Sequence, residues 1–463
     1  MNQVLRDLRE LLGPDGWVEF EHQHSYLKEW RGRYHGRAAA VVRPADTQMT
    51  AEVVRRCHDA RIAIVPQSGN TGLCGGAAPD ASGTQVLLSL DRLNTIRDLD
   101  PENQTITAEA GCTLATVQRA AAAAGRYFPL DLAAAEQTMI GGALATNAGG
   151  INVLHYGNTR ALALGIEVVL ADGRIWNGLR GLRKDNSGYD LRNLFIGSEG
   201  TLGIITAGVF RLFSQPGQSV SAMCGLRRLE QAPALLAAIQ EGVGERLVGC
   251  ELMSRFSVEM ALSVAGCEEP LAGIHPWYLL IRVTDVADTA PLGPRIERLL
   301  RRLDVADDVR IADTPDGAET LWRVRKAIPA GQASAGASIK HDISVPISRI
   351  PAFIHAVHEA VEQAVPGTRP CIFGHLGDGN LHVNLSQPRD VPAATFRAET
   401  TRLNRIVHDL TASYSGSIAA EHGVGQLKRE ALCDYADPVA LDLMRSVKTA
   451  LDPTSLLNPG KVL

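Results

Sequence analysis

The chain has no Cys-x-x-Cys pair, no long apolar run and no excess of either charge. Its eight cysteines, Cys57, Cys74, Cys112, Cys224, Cys250, Cys267, Cys371 and Cys433, are scattered. That excludes a zinc-finger or disulfide framework and fits a reducing, cytoplasmic compartment. The opening MNQVLRDLRELLG is charged throughout, so it reads as neither a signal peptide nor a membrane span. Residues 137–159 hold no Asp, Glu, Lys or Arg, yet their glycines and asparagines are wrong for a bilayer helix. No stable membrane span is expected. Aromatics make up only 5%, and 51 acids are interleaved with 46 bases to a net charge of −5. That leaves no basic stripe for a nucleic acid, and small-molecule chemistry is expected instead.

What is present is enough for two or three domains, since 463 residues with 45% hydrophobic composition can bury several cores. From about Arg33 to Phe213, short β-rich runs (AAAVVRP, IAIVP, VLLSL, TITAEAG, GIEVVLADGRI) alternate with helical stretches and glycine clusters. TAEVVRRCHDAR reads as a helix capped by Thr50, and TLATVQRAAAAAG as one capped by Thr113 and stopped by Gly125. FSQPGQS then breaks the pattern. Beyond it, PWYLLIRV reads as a strand and ISRIPAFIHAVHEAVEQAV as an amphipathic helix. The class is α+β, with domains at 1–214 and 219–424 and a helical C-terminal segment at 425–463.

Three glycine loops stand in the first domain. PQSGNTGLCGG follows the strand IAIVP, and its glycines let backbone N–H groups approach a phosphate. MIGGALATNAGG adds Thr146 and Asn147 beside exposed backbone, and GSEGTLGIIT repeats the device. For the first loop taken alone, a tight turn is the lesser alternative. Three together point to a large, extended ligand, because idle glycines cost backbone entropy on folding.

These loops, with the C-terminal LDPTSLLNPGK, resemble the FAD-dependent oxidoreductases of the vanillyl-alcohol-oxidase/p-cresol-methylhydroxylase fold. The resemblance implies a two-subdomain FAD-binding domain, an α+β substrate cap, and a C-terminal segment that packs back on the FAD site. It places the pyrophosphate on Pro66, Gln67, Ser68, Gly69, Asn70, Thr71 and Gly72. The ribityl and flavin portion falls to Gly111, Leu130, Gly141, Gly142, Ala145, Thr146, Asn147 and Gly149, with Gly200, Ile205 and the turn residue Asn458 completing the set. The first loop holds no histidine, so noncovalent FAD is implied.

The stretch GHLGDGNLHVN, residues 374–384, reads as a β-hairpin turning over Gly377–Asn380. In that register His375 faces His382 with Cβ atoms about 5 Å apart, near enough to share a metal ion. Asn384 projects from the same face. AAEHGVG offers Glu421 as a third ligand, and His-His-Glu leaves an open position of the catalytic kind. His422 then stands beside the metal as a base able to work near neutral pH. His341 reads as structural.

HLGDGNLHVN with AAEHGVG is similar to the D-2-hydroxyacid dehydrogenases, most of all their D-2-hydroxyglutarate branch. Carried over, His375, His382 and Glu421 match the ligands of one divalent metal, expected to be zinc, and His422 matches the catalytic base. Arg325, Lys340, Asn384 and His422 match substrate-binding positions. The implied reaction oxidises D-2-hydroxyglutarate to 2-oxoglutarate and passes electrons to an acceptor such as an electron-transfer flavoprotein or a quinone. A homodimer is expected. Pro329 stands four residues after Arg325, where the hydroxyglutarate branch carries a hydroxyl. D-lactate or glycolate therefore remains an alternative substrate. A metal hydrolase leaves the glycine loops unexplained, and a noncatalytic flavin relay predicts a flavin that no hydroxy acid reduces.

Overall fold

The computed structural model describes residues 2–286, 291–303 and 308–463. The chain divides into two units, one made of residues 1–150, 157–215 and 422–463, the other of residues 151–156 and 216–421. The cut at 215/216 lies inside FSQPGQS. The other boundaries differ from the sequence reading, which closed the second domain at 424. Residues 422–424 go with the first unit because the Glu199 carboxylate accepts the Val424 and Gly425 N–H groups.

In the first unit a four-stranded sheet runs in the order Trp17–Val18, Ala40–Val42, Val86–Ser89, Ile64–Gln67, the last three parallel. Its strands carry Val42, Ile64, Val86 and Leu88 into a core shared with Val53, Val54 and Cys57 of the helix Thr47–Asp59. That helix is capped by Asp46, not Thr50. The Asp46 carboxylate accepts the Met49 N–H at 2.7 Å, and Thr50 sits one turn in, its hydroxyl donating to the Asp46 carbonyl. Thr113 does cap the helix Leu114–Ala123. A five-stranded antiparallel sheet follows in the order Ile96–Asp100, Thr105–Glu109, Ile204–Arg211, Ala163–Val169, Ile175–Gly178. At the far end of the sequence, Leu457 lies parallel to Ile64, and Ile64 exchanges backbone hydrogen bonds with Leu456 and Asn458 at 2.8 Å each.

The second unit is one seven-stranded antiparallel sheet. Strand Trp277–Asp285 shows why both its faces are covered. Leu279, Ile281 and Val283 point into a core with the helices Gln231–Val243, Leu292–Arg302, Ile350–Ala364 and Thr400–Ser413. Tyr278 and Leu280 point the other way, against Val258, Trp322 and Ile328 of the helices Arg255–Leu262 and Pro315–Ser334. Period-two alternation with apolar residues on both faces demands two helical layers. Each fully buried aliphatic side chain there contributes ~1.5–3 kcal/mol. Among the described residues no helix is long and apolar enough to cross a membrane.

Candidate active site

In the first unit the glycine loops gather around the ends of the strands. Pro66 and Gln67 end the strand Ile64–Gln67, and the Gln67 amide donates to the Tyr26 and Ala77 carbonyls, which braces the loop that follows. Gly69 lies so close to the neighbouring chain that a Cβ there would stand 2.1 Å from the Gln137 carbonyl oxygen. Gly141 is closed in by the Ser68 hydroxyl in the same way, at 2.7 Å. The Gly141 N–H donates to the Ala110 carbonyl, which sets Gly141 beside Gly111, and the Ala110 N–H donates to Thr206, next to Ile205. Thr71 and Thr138 share a hydrogen bond at 3.3 Å. The Gly200 backbone packs on Pro66. Leu130 and Ile205 are buried apolar residues. Gly142 accepts the Thr146 hydroxyl, and Ala145 accepts the Glu199 N–H.

Four residues that are not glycine hold left-handed backbone in these loops: Asn70 at φ 52°, Asn147 at 49°, Glu199 at 52° and Asn458 at 45°. Such conformations persist only where the surroundings fix them. The Asn70 amide donates to Lys28, Asn147 accepts the Arg160 N–H, and the Asn458 amide donates to Gly76 and Glu199. Among the described residues the Ser68 hydroxyl and the Asn458 Oδ1 are buried polar atoms with no hydrogen-bond partner. An unsatisfied buried group costs about 1–3 kcal/mol. Phosphate and flavin heteroatoms would satisfy both, so the residues fit FAD.

The histidine site lies in the second unit. Its hairpin pairs strands Arg369–His375 and Asn380–Ser386 with Phe373 opposite His382, and not His375 opposite His382 as the sequence predicted. The turn is the longer loop Leu376–Gly379, ending at Gly379 with φ 82°. Asn380 is drawn into the strand because its amide donates to Asp342 and to the Ile343 carbonyl. The register moves by two, which preserves side-chain parity. His375 and His382 therefore still share a face, with ring centroids 6.0 Å apart.

Glu421 joins them. His375 Nε2 stands 3.6 Å from one carboxylate oxygen and His382 Nε2 3.5 Å from the other. Asp342, which the sequence reading missed, lies opposite His382 on the neighbouring strand, and its carboxylate accepts the Glu421 N–H at 3.0 Å. Ligand atoms of Asp342, His382 and Glu421 all fall within 4.8 Å of one another. His422 follows Glu421 directly in the chain.

Behind His375 is a second missed residue, Glu251, whose carboxylate is 0% exposed. It takes His375 Nδ1 on one oxygen and Arg325 Nε, at 2.5 Å, on the other. Burial alone would raise its pKa, but the Arg325 and His375 charges outweigh that and hold it down at about 2. A carboxylate on Nδ1 turns the opposite nitrogen of a histidine outward as a ligand. Asp342, His382 and Glu421 bring an imidazole and two carboxylates within reach of one divalent metal, and His375, predicted as a ligand, is not one of that group. Arg325 lies over the Phe373 ring at 4.7 Å. Lys340 stands opposite Asn384 in the sheet, and the Asn384 amide donates to Gln332 at 3.0 Å. His341 Nδ1 stands 2.7 Å from the Val383 carbonyl.

Residues 215–462 match the C-terminal domain of the FAD linked oxidases, and residues 38–178 match an FAD binding domain. The D-2-hydroxyglutarate dehydrogenase of Xanthomonas citri pv. viticola is 36% identical over 447 residues, covering 96% of this chain and 93% of the relative. That of Stutzerimonas stutzeri is 32% identical, covering 99% and 98%. The solved structure of p-cresol methylhydroxylase with substrate bound superposes with a TM-score of 0.77 at 18% identity, covering 100% of this chain and 96% of the other. The chain therefore belongs to the FAD-linked oxidase family, in the branch of the FAD-dependent D-2-hydroxyacid dehydrogenases, and carries the p-cresol methylhydroxylase fold.

Proposed function

We propose that the protein oxidises D-2-hydroxyglutarate to 2-oxoglutarate with noncovalent FAD and one divalent metal ion. His375, His382 and Glu421 hold the metal, zinc being the ion that best suits this mixed imidazole and carboxylate set. When bound, FAD supplies the hydride acceptor for C2, and the ion supplies positive charge that eases ionisation of the substrate hydroxyl. His422 takes the hydroxyl proton. Arg325 grips a carboxylate with its guanidinium, held in place through Nε by Glu251, while Lys340 and Asn384 orient the rest of the substrate.

The observation that carries this reading is the buried Glu251 carboxylate, which takes His375 on one oxygen and Arg325 on the other. It supports a site in which a metal and an anionic substrate are handled together. A hydrolase would share the metal set but has no use for the flavin loops. The electron acceptor is an electron-transfer flavoprotein or a quinone, and the enzyme works in the cytoplasm as a homodimer.

A second reading, D-lactate or glycolate as substrate, is favoured by Pro329, which brings no hydroxyl to the helix turn after Arg325. Anaerobic bleaching of the flavin band by D-2-hydroxyglutarate, D-malate, D-lactate and glycolate, with and without chelator, tests both. Fast bleaching by the dicarboxylates that chelator abolishes is expected. Bleaching by lactate or glycolate alone replaces the first reading with the second, and bleaching unaffected by chelator removes the metal's role.

A further inference from the structure

Glu199 belongs to the third glycine loop, yet its carboxylate turns to a different segment. One oxygen accepts the Val424 N–H at 2.7 Å and the other the Gly425 N–H at 2.9 Å. Those amides lie two and three residues beyond His422. The Glu199 backbone faces the flavin loops: its N–H donates to Ala145 at 2.8 Å, and its carbonyl accepts the Asn458 amide at 2.7 Å. The loop after His422 is closed tightly onto this carboxylate. Gly423 sits at φ 76°, and a Cβ there would stand 2.7 Å from a Glu199 oxygen. A second tie, from the Gln426 N–H to the Cys74 carbonyl at 2.8 Å, holds the same loop to the first glycine loop.

A carboxylate that accepts two backbone N–H groups, one on each oxygen, is a strong and directional clamp, and those bonds oppose the burial that pushes the Glu199 pKa up. It restrains two consecutive peptides, and through them the direction in which the chain leaves His422. We propose that Glu199 is a positioning residue that locks the His422 loop to the flavin loops, so that proton removal and hydride transfer occur at one fixed geometry. This deepens the reading of His422 as the base and rests on it.

The test compares purified wild-type holoenzyme with E199Q, G423A, H422A and the E199Q/H422A double variant. Bound FAD and metal per chain are measured, together with anaerobic flavin bleaching by whichever hydroxy acid bleaches the wild type. E199Q, isosteric but unable to accept on both atoms, is expected to keep its FAD and metal and to bleach at least about tenfold slower, the scale of one lost charge-assisted hydrogen bond. Its half-saturating substrate concentration stays unchanged, a split that simple loss of folding would not give. In the double variant the bleaching should be no slower than in H422A alone, because both changes remove the same event.

G423A disturbs the same clamp from the other side and keeps the test open should E199Q fail to fold; it is expected to retain FAD and slow likewise. Wild-type bleaching in E199Q or G423A, loss of FAD from the folded E199Q protein, or a multiplied defect in the double variant would overturn the proposal. A fully active H422A would instead overturn the assignment of the base, while an inactive H422A beside a fully active E199Q would leave the base standing and remove only the clamp.

Discussion

The two units build their candidate sites from opposite materials. In the first, the cradle is backbone: glycines pressed against carbonyls and four non-glycine residues held in left-handed conformations. In the second, the backbone is an ordinary antiparallel sheet, and the site is a set of imidazoles and carboxylates projecting from one face of it. A cradle made of backbone is damaged by adding atoms, and a cluster of side chains by removing them. His422, the proposed base, stands outside this division, carried on a segment grouped with the backbone-built unit.

His422→Ala is the harshest test, because it deletes a side chain from the unit that should otherwise tolerate deletions. Flavin reduction is expected to fall by about 10²–10⁴, the usual contribution of a general base, with the yellow colour retained on purification. Next comes Glu251→Gln, which should weaken metal binding by about 10–100-fold, measured by metal analysis after dialysis against graded chelator. Because the same carboxylate holds Arg325, the half-saturating substrate concentration should rise in parallel even in excess metal. A change in one without the other would break the shared-carboxylate argument.

Gly69→Ala adds a single carbon where the Gln137 carbonyl already stands. It should cost about 1–3 kcal/mol as overpacking does, read as a lower melting temperature and a reduced FAD content. Metal content should not change, which separates the two units. The smallest effect is expected for Pro329→Thr, a surface substitution one helical turn beyond Arg325 that restores the backbone N–H the helix lacks there. A severalfold rise in the rate with D-2-hydroxyglutarate relative to D-lactate would tie substrate length to this turn. An unchanged ratio would place the choice elsewhere.

The two materials were also unequally legible. Glycine clusters announce close backbone approach, so the loops around Ser68, Gly141 and Gly200 could be picked out without knowing how they meet. The hairpin was found but its register was two residues off, because an Asp-Gly pair looks alike in a two-residue and a four-residue turn. Parity rescued the conclusion, since a shift of two leaves every side chain on its face. Glu251, Asp342 and Glu199 were missed for a common reason: each acts by accepting hydrogen bonds from residues far away in the chain. The signal for Glu251 was available, a lone acid in the apolar strand LVGCELMS, where an unpaired charge would be prohibitively costly. Asp342 alternates with Lys340 on the same strand face, which the sequence also displays.

Ile64 and Leu457 lie side by side, although almost the whole chain separates them. A ribosome delivers residue 64 well before residue 457, so the outer strand of the first unit's parallel sheet waits while the second unit is made before it finds this neighbour. The described strands of the second unit are all made by residue 386, so it can complete its sheet while the chain is still emerging. The order of folding should thus run against the order of the sequence, with the later-encoded unit finished first and the earlier one held open, unable to close on its cofactor, until residue 457 has been made.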